Sequence, residues 1–365
     1  MSRGKVLSFL PVCEGCPPSK ATVQHNFAFL SSARSLFQSI SKDLGVGPDE
    51  VVQVVSDGLN EKGLSVTVQW DYDVPGYPNA TTSSRALSAI DLSTYILASF
   101  GTVVEVRKAL DPARFSIVNF QLSSAATTTL RNSGLLSPEG FPLIHLGVHD
   151  AAHGSLVIEF QGSTHVLLDN PTGVLTNEPQ LLQHYSQLKR YMNNRMQVPQ
   201  IQFQRFREGT FKPVHYNSTF YAPPGDHSSQ SRFIRLAMLN QVAGLRSWPQ
   251  NASWSPNGAG PSKGLFVAAE TILNTIVLPP AIDDAGGAGS ANDDYTQVMI
   301  LRDHANLMYY FRSPRSPQWQ AINVRKSSSD RALSRRRLLS PTLRMIPVGH
   351  NDDKPWYTDV SANVL

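Results

Sequence analysis

Residues 60–70 restrict the fold more than any other stretch of the chain. Asn60-Glu61-Lys62-Gly63 reads as a tight turn, and from Leu64 onward the pattern alternates. Leu64, Val66, Val68 and Trp70 are apolar, whereas Ser65, Thr67 and Gln69 are polar. A period of two is a half-buried strand, and the turn makes it one arm of a hairpin whose other arm is Val51–Val55. Further strands are predicted at Ala21–Leu30, Leu143–Val148, Ser155–Phe160 and Thr164–Leu168, the last two joined at Gln161-Gly162. A second batch is predicted at Tyr295–Leu301, Leu307–Arg312 and Ala321–Val324.

Helical spacing falls between these batches. It covers Ser32–Leu44, with Leu36, Phe37 and Ile40 on one side, and then about 88–100 and 102–110. It returns at Pro179–Asn193, with Leu181, Leu182, Tyr185, Leu188 and Met192 apolar, and at Ser229–Val242, with Phe233, Leu236, Ala237 and Leu239 inward. A last helix is expected near 265–276, between two insertions at Trp248–Gly264 and Asp283–Asp294. Hairpins in two batches with helices between them give an α+β order, not an alternating βαβ one. The expected architecture is two stacked antiparallel sheets with helices on their outer faces, a four-layer αββα sandwich.

Of the 365 residues, 41% are hydrophobic and 16% charged, enough apolar matter for a packed core, which excludes a chain disordered throughout. No segment offers the roughly 18 clean apolar residues of a membrane-spanning helix. Residues 1–20 lack a signal-peptide core, because Ser8, Pro11 and Cys13 interrupt the apolar run. Residues 325–344 hold seven Lys or Arg against the single acid Asp330, a net +6; with +4 for the whole chain, the rest sums to −2. Basic character therefore belongs to the tail, and no nucleic-acid surface is expected on the globular body. The expected division is an irregular segment over 1–20, one domain over 21–324 and a partly disordered basic tail over 325–365.

Cys13 and Cys16 form one Cys-x-x-Cys followed by Pro17-Pro18. A structural zinc site takes four ligands, and this pair supplies two, so no metal is expected there. His145, His149 and His153 are spaced four apart, but Gly147, Gly154 and the alternating apolar residues make them strand or turn histidines. No metal and no cofactor is expected. Asn79-Ala-Thr, Asn217-Ser-Thr and Asn251-Ala-Ser are glycosylation sequons in predicted loops, compatible with secretion; the compartment itself is left open.

Three longer stretches carry the chemistry. They are Asp57-Gly58-Leu59-Asn60-Glu61-Lys62-Gly63-Leu64, Gly173-Val174-Leu175-Thr176-Asn177-Glu178-Pro179, and Pro224-Gly225-Asp226-His227-Ser228-Ser229-Gln230-Ser231-Arg232-Phe233-Ile234-Arg235. In this order and spacing they resemble the choloylglycine hydrolase family, the bile salt hydrolases and penicillin V acylases among the N-terminal nucleophile hydrolases. Weaker similarity over Asp150–Glu159 and Asp294–Arg312 extends the resemblance to roughly residues 21–324.

The resemblance implies hydrolysis of a linear amide of a small N-acyl compound by a cysteine that is the first residue of the mature chain. Its α-amino group would serve as base, titrating near pH 7.7–8.0. Asn177 matches the asparagine on the oxyanion side of the site; by residue type it fits equally well as a cap for the helix opening at Pro179. Arg232 matches the arginine beside the nucleophile, where a guanidinium favours the thiolate; as a residue on a helix it fits a solvated surface position equally well. Trp70 stands where relatives place an asparagine or tyrosine facing the oxyanion or substrate, so it is expected as a substrate-binding residue, either an indole donor or an apolar wall. Asp57 and Asn60 are expected to form the turn.

The front of the chain departs from the family pattern. The cysteine strand of the family lies well before the first motif, and nothing in residues 1–20 resembles it. The expectation is that the nucleophile strand is missing from this sequence, so that these residues alone are inactive. The alternative is a non-catalytic relative that keeps an acyl-ligand pocket. A homo-oligomer is compatible with the sequence.

Overall fold

The hairpin around Asn60 is the seed of the larger sheet. The computed structural model describes residues 29–33, 55–78, 86–119, 142–194, 223–243, 261–279, 296–324 and 358–359, except 163, 297, 314 and 315, together with residues 128, 131 and 137. Strand β2 (Val55–Asn60) pairs antiparallel with β3 (Ser65–Trp70), Gly58 facing Val66. Asn60 makes the turn as expected: its Oδ1 accepts from the Lys62 and Leu64 N–H groups, each at 3.0 Å. Its Nδ2 donates to the Leu97 and Phe100 carbonyls at 2.9 and 2.7 Å, binding the turn to the end of a helix. Gly63 has φ +81, and a Cβ there would lie 2.7 Å from the His304 carbonyl oxygen, so both conformation and space require glycine.

Six strands form the first sheet, in the order β1-β2-β3-β6-β7-β8, with β1 Phe29–Ala33, β6 Ile144–His149, β7 Ser155–Phe160 and β8 His165–Asp169. Between β3 and β6 come β4 (Ala86–Ser88), helices α1 (Leu92–Ser99) and α2 (Val103–Ala109), and β5 (Ser116–Val118), which pairs parallel with β4. After β8 follow α3 (Leu181–Asn194), α4 (Ser229–Ala243) and α5 (Pro261–Asn274). The second sheet runs β12-β11-β10-β9, with β9 Met299–Asp303, β10 Met308–Ser313, β11 Ser316–Asn323 and β12 Thr358–Asp359. β12 lies parallel to β11, so a short piece of the C-terminal segment returns to the sheet.

The strand pairing sorts side chains by layer. Leu64, Val66, Leu146, Val148, Leu156, Ile158 and Phe160 share one face of the first sheet and pack under α1 and α2, with Leu92, Ile96, Leu97 and Val106. The other face meets the second sheet, where Leu59 packs with Tyr309, Ile322 and Val324. α5 covers the outside of the second sheet through Phe266, against Tyr310 and Trp319. α4 packs between α3 and α5. The layers are helix, sheet, sheet, helix, as the hairpin order predicts. No helix among the described residues is long and apolar enough to cross a membrane.

Four expectations need correction. Ser32 and Ala33 are the end of β1 and not the start of a helix, because ladder bonds to Asp57 and Val55 prevail over local spacing; the rest of Ser32–Leu44 lies outside the described residues. Asp57 is no turn residue: it sits in β2, buried, accepting from Tyr309 Oη at 2.9 Å and paired with Arg302 at 3.1 Å across the two sheets. Leu182 is 58% exposed. The buried stripe of α3 is Leu181, His184, Leu188 and Met192, which leaves residue 182 a quarter-turn away. The last helix begins at Pro261, where proline suits a first turn, so the insertion before it is shorter than expected. Cys13, Cys16, Asn79, Asn217, Asn251, residues 283–294 and the basic run 325–344 lie outside the described residues.

Candidate active site

The C-terminal ends of β3 and β7 and the start of β6 bring three titratable side chains onto the face that lies away from α1 and α2. Gln69 stands opposite His145 in the ladder, Asp71 follows β3, and Glu159 lies on β7. All three are buried, at 1% exposure or less. His145 Nδ1 lies 3.6 Å from Glu159 Oε1 and 3.8 Å from Asp71 Oδ2, while its Nε2 lies 2.8 Å from the Thr176 carbonyl oxygen. Burial pushes the Asp71 carboxyl above the usual carboxylate range, with His145 opposing the shift. Glu159 Oε1 also accepts the Leu181 N–H at 2.6 Å, so this carboxylate caps α3.

Above His145 lies the segment 170–178, which leaves β8 through a turn. The Asn170 amide closes that turn on the Val174 carbonyl at 3.1 Å, and Tyr185 Oη donates to Asn170 Oδ1 at 2.9 Å. Thr176 Oγ1 donates to the Ser229 carbonyl at 3.1 Å, and Ser229 Oγ lies 2.8 Å from the Asn177 carbonyl oxygen. His184 Nε2 lies 2.9 Å from that same oxygen. A carbonyl oxygen only accepts, so His184 carries its proton on Nε2. Its ring stacks on Phe233 with centroids 4.4 Å apart, and burial pushes its pKa down to about 4.

Asn177 is thereby held through its backbone between α3 and α4, while its side-chain amide bonds to none of the described residues. The helix-capping alternative is filled by Glu159 at Leu181. Glu178, the next residue, feels Asp71, Asp73 and Arg232, and burial raises its carboxyl pKa. Arg232, in the first turn of α4, also acts on His184, so its guanidinium lies within electrostatic reach of both flanks of Asn177.

Much of the third motif is a lock for that turn. Asp226 accepts from Ser228 Oγ, from Ser231 Oγ at 2.6 Å and from the Ser228 N–H at 3.0 Å, bonds that pull its pKa down to about 2. The buried Arg235 guanidinium donates to the Pro224, Asp226 and Thr275 carbonyls.

Trp70 is set apart from Asn177. It alternates to the helix-facing side with Val68, packs on that core, and stacks with Tyr72 at 6.3 Å and 11°. His145 and His149 are strand residues and His153 a turn residue with φ 67, as read from the sequence. Sequence reasoning missed Asp71, Glu159 and His184, and it saw His145 only as one of a histidine series. One signal was present: Glu159 is a charge inside the apolar run Leu156–Phe160, and a buried charge needs a partner. No cysteine lies among the described residues.

The layering is that of an αββα sandwich of two stacked sheets with helices outside. The sequence model of the linear amide C–N hydrolases, choloylglycine hydrolase family, matches residues 32–248, and the chain belongs to that family. A bile salt hydrolase/transferase of Clostridium perfringens is 28% identical over 284 residues, 75% of this chain and 74% of that protein. Penicillin V acylase of Pectobacterium atrosepticum is 28% identical over 274 residues, 74% of this chain and 62% of that protein. Among solved structures, a variant of the conjugated bile acid hydrolase of Clostridium perfringens superposes with TM-score 0.57 at 20% identity, covering 82% of this chain and 78% of that one.

Proposed function

We propose that this protein hydrolyses the amide bond of a small N-acyl compound through a cysteine thiolate, with Asn177 and Arg232 beside the reacting carbon. The observation that supports the reading is Asn177, whose backbone is fixed from two sides while its side-chain N–H groups have no described acceptor. A fixed, unspent donor is what a developing oxyanion needs.

In this reading the thiolate attacks the carbonyl carbon and the oxygen takes the negative charge, held by the Asn177 amide. Collapse of the tetrahedral adduct breaks the C–N bond, and the ammonium of the nucleophile's own residue protonates the leaving amine. Water then attacks the thioester, returning the thiol and releasing the acid. Arg232 lowers the cost of the thiolate. Trp70 packs toward α1 and α2 and stacks on Tyr72, so the reading gives it no contact with the acyl group. The reading assigns the nucleophile to a cysteine outside the described residues.

The test is steady-state hydrolysis of N-acyl amides by the full-length protein and its Asn177→Ala variant. The expected result is a kcat lower by about 10²–10³ with KM nearly unchanged. Equal turnover by the variant would remove Asn177 from the mechanism, and a full-length protein that cleaves no N-acyl amide would remove the activity.

A further inference from the structure

His145 does more than fill the sheet. We infer that His145 is a positioning residue of the amide-hydrolysing site, holding the Thr176–Asn177 peptide at the height from which Asn177 meets the oxyanion; the inference rests on the reading above.

The geometry carries it in three steps. First, His145 Nε2 meets the Thr176 carbonyl oxygen at 2.8 Å in a fully buried place. That oxygen only accepts, so Nε2 holds the proton, and the bond is lost if the ring turns over. Second, the other ring nitrogen faces two carboxylates, each tied to a different element. Asp71 takes the Asp73 N–H at 3.0 Å on Oδ1, beyond the end of β3, and Glu159 takes the first N–H of α3 at 2.6 Å. Asp71 Oδ2 and His145 Nδ1, 3.8 Å apart, make no hydrogen bond among the described residues, and Nδ1 lies 3.6 Å from Glu159 Oε1. The ring thus faces the carboxylates of β7 and of the segment after β3 from below, and Nε2 makes its one hydrogen bond upward. Third, the next carbonyl, Asn177, is held by a separate pair, His184 from α3 and Ser229 from α4.

Two consecutive carbonyls are therefore pinned by two imidazoles that arrive from different layers. A peptide held at both carbonyls cannot rotate, and the Asn177 side chain leaves the Cα between them. His184 is stacked on Phe233, the neighbour of Arg232, so the same arrangement sets the asparagine and the arginine relative to each other. A misplacement of about 1 Å in such a group costs on the order of 10²-fold in rate.

The experiment uses full-length protein and three variants. His145→Ala removes the pin, and His145→Gln can restore a donor to the Thr176 carbonyl without the ring nitrogen that faces the carboxylates. Val148→Ala lies on the opposite face of the same strand and serves as a stability control. The expected result for His145→Ala is a kcat lower by about 10–10² with KM within twofold of wild type. His145→Gln is expected to recover at least about tenfold of that loss, and Val148→Ala to keep wild-type kcat below its own, lowered Tm. Hydrogen exchange over residues 170–178 gives a readout independent of turnover: faster in His145→Ala, restored in His145→Gln, unchanged in Val148→Ala. Wild-type kcat and exchange in His145→Ala would overturn the positioning role, and so would a His145→Gln protein no better than His145→Ala. If wild type cleaves nothing, the proposed activity fails, and the exchange result alone decides whether His145 holds the peptide.

Discussion

The two faces of the six-stranded sheet are built from the same strands and have different tasks. Toward α1 and α2 the sheet presents Leu64, Val66, Leu146, Val148, Leu156, Ile158 and Phe160, a mainly apolar surface whose directed bonds come from Asn60 and His165. Toward the second sheet and the segment 170–178 it presents Asp57, Ser65, Thr67, His145 and Glu159, each bound to a group from another layer. The first face holds the fold mostly by area, which tolerates small shifts. The second holds positions by directed bonds, which do not.

Substitutions should separate the two. The largest loss of stability is expected from Phe160→Ala, which empties a fully buried site on the apolar face at a cost of about 3–5 kcal/mol. Chemical denaturation measures it, and the folded fraction should keep wild-type kcat. A similar loss of kcat per folded molecule would blur the distinction between the faces.

Acid should act with opposite sign on buried histidines and on a buried carboxyl. His184 has its folded pKa pushed down to about 4 from an ordinary 6.5, so the folded state resists protonation. Its contribution is present above pH 6.5 and is lost as pH falls toward about 4, a loss of about 3 kcal/mol. His304, lowered to about 4, and His149, lowered to about 3, act in the same direction. Asp91, buried ahead of α1 on the apolar side, is raised to about 7 by burial. Its contribution is present below pH 3.8 and is lost as pH rises toward about 7, partly offsetting the histidines. Asp91→Asn is therefore expected to raise stability at neutral pH and to steepen the fall between pH 6.5 and 4; a pH series of denaturation midpoints reads both effects. A flatter profile in the variant would contradict the assignment.

A smaller effect, about 2 kcal/mol, is expected for Asn60→Ala, which frees the Leu97 and Phe100 carbonyls and undoes the turn. The smallest, below about 1 kcal/mol, is expected for Arg107→Ala, because its pair with Asp169 is largely exposed. Thermal denaturation orders the two.

The hairpins were legible because turn chemistry and a period of two coincide at Asn60–Trp70, and because Gln161-Gly162 separates two short apolar runs, although the first arm, expected at Val51–Val55, lies at Val55–Asn60. The three motifs led to Asn177 and Arg232, on the segment after β8 and on α4. The support beneath them was not legible. Asp71, His145, Glu159, Thr176 and His184 come from five separate segments, and only the ladder register and the packing of α3 and α4 place them side by side. Local spacing also misassigned Asp57, whose partners Arg302 and Tyr309 lie more than two hundred residues away.

The account's central claim is covalent: an acyl group passes through a cysteine. Its most direct test is intact-mass analysis of the full-length protein, rapidly quenched in acid during turnover of an N-acyl amide, followed by peptide mapping. The account predicts a mass increase equal to the acyl group, carried as a thioester on one cysteine and discharged by hydroxylamine. Turnover with no adduct at any quench time, or an adduct on a hydroxyl side chain, would contradict it.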